Sequence, residues 1–371
     1  MKILITYVSA GAGHKKIAES IAGYLKKYCP EQQILLTDAL EYSAPWLRQA
    51  YTSTYDFMVR RAIWLWRFCF WITDLKLLRP ISKLTIFLSH RISTRGFAEF
   101  VLKEQPDIVI STHFLPSEIV SYLKKTKKLK SRLITVITDY GVHYFWIHAS
   151  TDTYAVGSQI TKELLIKKGI KENRVIITGL PVEEKFMNMP TRQEACRKLG
   201  INPEMFTILI ITGSFGIGPI EEITKALKGQ AQILAVCAKN NSLFQSLKKK
   251  NYAHVNVYGF INNVEELMAA SDLIITKPGG STISEILITA LAPIFIAPIP
   301  GQESENIKVL AKYGIGIKPR NMQDLKRIVF EYESNPQKLA SVKERILKIR
   351  HANAALELCN VICESSIRPG S

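Results

Sequence analysis

Twice along this chain a short apolar run passes through a glycine turn into an amphipathic helical pattern. Residues 2–8 lead through Ser9-Ala10-Gly11-Ala12-Gly13 into 15–27, where Ile17, Ile21 and Leu25 share one face. Residues 207–211 lead through Thr212-Gly213-Ser214-Phe215-Gly216-Ile217-Gly218-Pro219 into 220–227. Further strand patterns follow each start, at 33–37, 107–111, 132–138, 153–156 and 174–178, then at 231–237, 255–258, 273–276 and 293–296. Strands alternating with helices specify a parallel sheet covered on both faces, because parallel neighbours need a crossover between them. The rhythm breaks near Gly179-Leu180-Pro181-Val182 and a polar stretch runs through Pro190 before it restarts. The expected fold class is therefore α/β, with two doubly wound domains at 1–185 and 186–340. A C-terminal part, 341–371, is expected to cross back to the first domain as a helix.

Composition supports two ordinary cores and excludes disorder, since 47% of the 371 residues are hydrophobic and 22% charged. The longest uncharged stretch, between Glu285 and Glu303, is broken by Pro293, Pro298, Pro300 and Gly301, so no spanning helix is expected. Six scattered cysteines and an opening without a signal-peptide pattern point to a reducing, cytoplasmic compartment. Cys359 and Cys363 lie four residues apart, as two thiols on one helix face do, and no second Cys/His pair stands at zinc-site spacing. A net charge of +17 attracts phosphates, anionic lipid or nucleic acid without choosing among them.

Ligands of open α/β sheets bind beyond the carboxyl ends of strands, where backbone N–H groups and helix N-termini attract anions. The loop carrying Gly213, Ser214, Phe215, Gly216 and Gly218 stands at such an end, and so does Thr276-Lys277-Pro278-Gly279-Gly280-Ser281-Thr282. Glu285, three residues after Thr282, reads equally as a capping-box carboxylate or as a partner for ribose hydroxyls. Beyond another strand, Gln302, Glu303, Glu305 and Asn306 offer the dense hydrogen bonding that sugars require, although a solvated helix start has the same composition.

In the first half, Gly11 and Gly13 lead into His14 at the first helical turn, where the dipole disfavours the charged ring and suits a neutral general base. A structural histidine would fit the same spacing. Asp139, His143 and His148 are spaced as metal ligands can be, but no further ligand is evident, and Asp139, His143 and Trp146 read better as polar and aromatic groups of a cleft.

Between Trp46 and Leu102 stand nine basic residues, Arg48, Arg60, Arg61, Arg67, Lys76, Arg79, Lys83, Arg91 and Arg95, against Asp56, Asp74 and Glu99. Trp46, Trp64, Trp66 and Trp71 lie there too. On a helix, Phe57, Trp64, Phe68 and Trp71 share one face flanked by Arg60 and Arg67, with Trp66 and Phe70 opposite. Such a helix suits a membrane surface, with Trp at the headgroup boundary and Arg on lipid phosphate. Domain core is the competing reading, and nucleic acid, which uses the same residue types, is not expected.

Taken together these motifs resemble the monogalactosyldiacylglycerol synthase and processive diacylglycerol glucosyltransferase family, relatives of the glycosyltransferase that adds N-acetylglucosamine to lipid I. The resemblance runs from Ile3 to about Lys318 and rests on Ser9-x-Gly-x-Gly-His14, Thr138-Asp139-x3-His143-x2-Trp146 and Thr178-Gly179-x-Pro181-Val182. The second half adds Gly213-Ser-Phe-Gly216-x-Gly218-Pro219, Thr276-Lys-Pro-Gly-Gly280-x-Thr282-x-Ser284-Glu285 and Pro298-Ile-Pro-Gly-Gln302-Glu303-x-Glu305-Asn306. Ala12, Ala292 and Ser304 depart from the family pattern without removing a polar group the chemistry needs.

The resemblance implies a GT-B fold, two Rossmann-like domains facing across a cleft, and an inverting transfer from a UDP-sugar that uses no metal or other cofactor. The lipid acceptor falls to the N-terminal domain and the nucleotide sugar to the C-terminal one. His14 becomes the general base, with Asp139 as the other candidate. Glu285 would hold ribose, Gln302, Glu303 and Glu305 would contact the sugar or its neighbours, and Gly213–Gly218 and Gly280–Thr282 would face the diphosphate. The basic aromatic segment matches the family's docking surface. The expected reaction moves a hexose to diacylglycerol on an anionic lipid surface, peripherally on the inner face of a membrane. Lipid-linked peptidoglycan precursors or other prenyl-linked acceptors, and a binding protein without turnover, are the alternatives.

Overall fold

The structure is a computed structural model and describes residues 1–9, 11–74 and 95–364. The chain divides into two compact units. Unit 1 is built from Met1–Glu183, Ile299–Glu305 and the residues from His351 on; unit 2 comprises Glu184–Pro298 and Asn306–Arg350.

Unit 1 holds a six-stranded sheet in the order β2-β1-β3-β4-β5-β6, formed by β1 (Lys2–Tyr7), β2 (Gln33–Asp38), β3 (Ile108–Ser111), β4 (Arg132–Val136), β5 (Thr153–Val156) and β6 (Val175–Ile177). Every pairing is parallel. Ile3, Leu4 and Ile5 of β1 are wholly buried, because helices cover both faces and leave no side for water. The chain runs outward from β1 to β2, then returns to place β3 on the other flank of β1. That reversal opens a crevice at the carboxyl ends of β1 and β3, the place where such sheets bind ligands.

Unit 2 repeats the plan with five parallel strands in the order β11-β10-β7-β8-β9. They are β7 (Thr207–Ile211), β8 (Gln232–Val236), β9 (Val255–Tyr258), β10 (Leu273–Thr276) and β11 (Ala292–Phe295). Here the reversal falls between β7 and β10, so the two glycine loops read from the sequence leave the sheet side by side.

Both sheets fasten their opposite ends in the same way. Asp107, Asp152 and Asp272 each stand immediately before a strand, and each accepts a hydrogen bond from the first or second backbone N–H of the neighbouring strand. Asp107 Oδ2 takes Lys2 N at 2.7 Å, Asp152 Oδ2 takes Leu133 N at 2.6 Å, and Asp272 Oδ2 takes Thr207 N at 2.9 Å. These N–H groups lie where the ladder begins, so the carboxylates satisfy donors the sheet would leave open.

α1 (Gly13–Tyr28) follows β1; α2 (Pro45–Arg60) begins with a proline in its first turn; α3 (Ile63–Asp74) has no fully buried residue. The helix Pro336–Ile349 packs against Gly280–Thr289, Met322–Ser334 and β11 in unit 2, and the helix Ala354–Glu364 packs on α1 in unit 1. The return to unit 1 thus starts at His351. There Cys29 Sγ lies 2.6 Å from Cys363 Sγ, and Arg132 donates to the Val361 carbonyl at 3.2 Å. Among the described residues no helix is long and apolar enough to cross a membrane.

Asp272 also pairs with Arg192 at 2.9 Å. Asp272→Ala leaves the Thr207 N–H without an acceptor and should destabilise unit 2 by about 1–3 kcal/mol, which thermal unfolding would show as a drop of several degrees. An unchanged unfolding midpoint would remove this carboxylate from the account of sheet stability.

Candidate active site

His14 is the second residue of α1, set at the crevice of unit 1 by the turn that contains Gly11 and Gly13. Thr112, just past β3, grips it twice. Its backbone carbonyl lies 2.8 Å from His14 Nδ1, and its hydroxyl donates to the His14 carbonyl at 3.0 Å. A carbonyl only accepts, so Nδ1 carries the proton and the basic lone pair of the neutral ring is on Nε2. The Thr138 hydroxyl, 2.9 Å from Nδ1, is on the same side of the ring. Among the described residues Nε2 has no hydrogen-bond partner.

Burial lowers the pKa of His14 from its ordinary 6.5, against the opposing pull of the Asp139 carboxylate and the Thr112 carbonyl. The ring is therefore neutral at neutral pH and available as a base. Asp139, itself buried, accepts from Gln302 Nε2 at 2.8 Å. His113, a residue the sequence reading passed over, stands edge-on to His14 with ring centroids 4.7 Å apart and an interplanar angle of 81°. Its Nδ1 accepts from Leu115 N at 3.1 Å and caps the helix Phe114–Lys125. Burial, with the charge that His14 would carry, pushes its pKa well below 6.5. Ser111-Thr112-His113 was visible as a polar triplet at a strand end, but its contact with His14 follows only from β3 lying beside β1.

His143 and Trp146 are buried and serve the protein. His143 Nδ1 accepts from Phe145 N at 3.1 Å, and Nε2 donates to the Phe70 carbonyl at 3.0 Å, so both nitrogens are engaged within the chain. Trp146 packs by the rings of His14 and Phe114. Asp74, the last residue of α3, accepts from Tyr144 N at 2.9 Å and pairs with Lys168 at 2.9 Å. Phe70 faces inward against His143, and Trp66 donates to the Pro300 carbonyl at 3.0 Å. Gly301, at φ +85°, lies so close that a Cβ there would meet Phe70 at 2.4 Å.

The other side of α3 faces solvent, with Trp64 71% exposed, Phe68 53% and Trp71 60%; Phe57 and Arg67 are exposed too. These aromatics are not domain core. Arg60 ends α2, but its side chain lies outside the described residues, as do Lys76, Arg79, Lys83 and Arg91.

In unit 2 the loop after β7 folds back onto the end of β8. Gly216, at φ +61°, is needed there, since a Cβ would come 2.0 Å from the Cys237 carbonyl, and Asn240 donates to the Gly216 carbonyl at 3.2 Å. Ser214 O accepts from Lys239 N at 3.4 Å, while Phe215 is exposed and Lys239 lies 5.8 Å from its ring. Gly213 faces open space, and Thr212 Oγ1 is buried without a partner among the described residues.

The helix after β10 begins at Gly280, with Gly279 as N-cap and no side-chain cap. Ser281 and Thr282 are therefore inside the first turn, and the capping box expected of Thr282 and Glu285 does not form. Glu285, a full turn further in, is buried.

Side chains of the polar turn also make contacts within the chain. Glu303 is buried and accepts from Ile299 N at 2.6 Å, closing the turn; Glu305 packs on Gly141; Asn306, wholly buried, donates to the Pro278 carbonyl at 3.0 Å. Gln302 is on Asp139. The helix Gln302–Lys312 starts at this turn.

Residues 14–182 match the family model of monogalactosyldiacylglycerol (MGDG) synthase, and residues 207–358 that of the glycosyltransferase family 28 C-terminal domain. A processive diacylglycerol beta-glucosyltransferase of Staphylococcus carnosus is 30% identical over 266 residues, covering 70% of this chain and 67% of that protein. The chain belongs to this family of diacylglycerol glycosyltransferases. A probable chloroplastic monogalactosyldiacylglycerol synthase of Glycine max is 29% identical over 381 residues, 98% of this chain and 71% of that one. The fold of this glycosyltransferase is that of the MurG of Acinetobacter baumannii (TM-score 0.64, 14% identity, 98% and 99% of the two chains). It is also that of the MnaA-UDP co-structure from S. aureus (TM-score 0.66, 13% identity, 99% and 97%). Both are similar as GT-B folds, two Rossmann-like domains of parallel sheet.

The pKa of His143 is also lowered, chiefly by burial, with Asp74 opposing. Three imidazoles in unit 1 thus take up protons less readily folded than unfolded. Their neutral forms favour the fold fully above about pH 6.5, and stability should fall as pH drops through the unfolded value toward the folded ones. Urea unfolding of the glycosyltransferase between pH 7.5 and 5 should show this loss, and His14→Gln should reduce its slope.

Proposed function

We propose that this glycosyltransferase moves a hexose from a UDP-sugar to the 3-hydroxyl of diacylglycerol at an anionic membrane surface, with inversion and without a metal. The observation that carries the lipid acceptor is the stripe of Trp64, Phe68 and Trp71, exposed on the same unit as His14 with Arg67 beside it. Large aromatics held out in water next to arginine suit the headgroup boundary, where rings meet acyl chains and guanidinium meets phosphate. The donor class is supported by the glycine loops at the β7–β10 reversal, and by the UDP named with the S. aureus MnaA structure of the same fold.

On this reading His14 Nε2 accepts the hydroxyl proton as the acceptor oxygen attacks the anomeric carbon, and the bond from that carbon to the UDP oxygen breaks. The imidazolium that forms keeps its Nδ1 proton on the Thr112 carbonyl and is favoured by the Asp139 carboxylate. Negative charge arriving on UDP is met by N–H groups of the loop from Gly213 to Gly218 and of the uncapped helix start at Gly280-Ser281-Thr282, which take the place of a metal. Glu285 is assigned to the ribose. Gln302, Glu303 and Glu305 are assigned to the sugar or its neighbours, with Glu303 also closing the turn on Ile299 N and Gln302 also holding Asp139.

The test is product formation in liposomes of diacylglycerol and anionic lipid, with EDTA, offering UDP-glucose, UDP-galactose and UDP-N-acetylglucosamine separately and resolving products by mass spectrometry. Hexosyl-diacylglycerol from one donor is the expected result. Transfer only to a prenyl-linked precursor would overturn the acceptor, and UDP-sugar binding without transfer to any lipid would overturn catalysis. His14→Gln should lower kcat by about 10²–10⁴-fold, the usual worth of a general base. Because the folded pKa of His14 is depressed, the acid limb of kcat/KM should lie below pH 6.5, with a plateau at neutral pH. Replacing Trp64 and Trp71 together by Ser should release the protein from anionic vesicles in sedimentation and leave its unfolding midpoint nearly unchanged.

A further inference from the structure

His113 is 3% exposed, and its interactions are few and definite. Nδ1 accepts the Leu115 N–H, the ring lies edge-on to His14 and against Phe114, and Trp146 is at 6.5 Å. With Nδ1 accepting and the ring neutral, the proton is on Nε2. Among the described residues nothing accepts from it. The two adjacent imidazoles are therefore locked in opposite tautomers by backbone groups of one short segment. Thr112 O draws the proton of His14 to Nδ1, and Leu115 N draws the proton of His113 to Nε2.

His113 Nε2 is not among the buried polar atoms without a partner, so this donor reaches the surface, where a ligand can supply its acceptor. Because the rings are in edge contact, the acceptor that fits His113 is an oxygen close to the hydroxyl that His14 deprotonates. Resting on the diacylglycerol reading above, we propose that His113 Nε2–H donates to the ester carbonyl oxygen on the glycerol carbon next to the reacting hydroxyl. It thereby selects glycerolipids that carry an ester at that position. The pair would then read two neighbouring groups of one acceptor, His14 taking a proton from the hydroxyl and His113 giving a hydrogen bond to the carbonyl. An ether lipid offers the same hydroxyl and the same chains without the carbonyl.

The experiment compares 1,2-diacylglycerol with 1,2-dialkylglycerol of equal chain length in mixed micelles, for the wild type, His113→Asn and His113→Ser. Asn and Ser both cap helix N-termini, so either preserves acceptance from the Leu115 N–H while removing the donor beside His14. The wild type should favour the diester by about tenfold in kcat/KM, the discrimination one hydrogen bond gives. Both variants should lose about that factor on the diester, change less than about twofold on the diether, and still unfold in a single cooperative transition, at a lower midpoint because a buried ring is removed. Equal losses on both lipids would show that His113 only shapes the pocket, and equal use of both lipids by the wild type would also overturn the proposal. Transfer by the wild type to neither lipid would sink the diacylglycerol reading and this inference with it, a result separable from the others because it needs no variant.

Discussion

The contact on which the candidate active site depends is the double grip of Thr112 on His14. One residue of the β3 edge accepts from the ring and donates to the backbone of the same histidine, at 2.8 and 3.0 Å. The first bond selects the tautomer, and the second holds the start of α1 against the end of β3. Neither exists without the reversal that places β3 beside β1, so sheet topology determines which nitrogen of an imidazole remains basic. Burial then keeps that nitrogen unprotonated at neutral pH.

Helix α3 shows how a protein can carry large aromatics in water without burying them. Its inward side is fastened by Trp66 to Pro300, by Phe70 to His143, and by Asp74 to Tyr144 and Lys168. Trp64, Phe68 and Trp71, on the other side, are more than half exposed and forgo much of the stabilisation that burying rings of this size brings, about 1.5–3 kcal/mol for a Phe-sized side chain. A stripe left exposed beside arginine, while its neighbours are held by hydrogen bonds and an ion pair, suits a helix whose second partner is an apolar phase outside the chain.

Much of this was legible in the amino-acid sequence, for local reasons. Parallel strands buried on both faces read as unbroken apolar runs, and glycine loops stand at their ends because backbones approach closely there, as Gly216 does over Cys237. The face shared by Trp64, Phe68 and Trp71 follows from helical period alone. What escaped was set by contacts distant in the chain. His113 looks like any residue after a strand until β3 is known to adjoin β1. That Glu303 also closes its own turn and Asn306 also holds Pro278 follows only from the folded chain. The Thr282 and Glu285 pair has capping-box spacing, but Gly279 starts the helix three residues earlier and moves both inside it.

The same geometry weighs the two candidate bases against each other. One Asp139 carboxylate oxygen is taken up by the Gln302 amide, at 2.8 Å. His14 has its proton held on Nδ1 and presents Nε2 without a partner among the described residues. A carboxylate whose charge favours the protonated ring is placed for a different task, to stabilise the imidazolium once the proton has moved. On the proposed mechanism the two residues are therefore successive members of one device, and Gln302 belongs to it by holding the carboxylate in place.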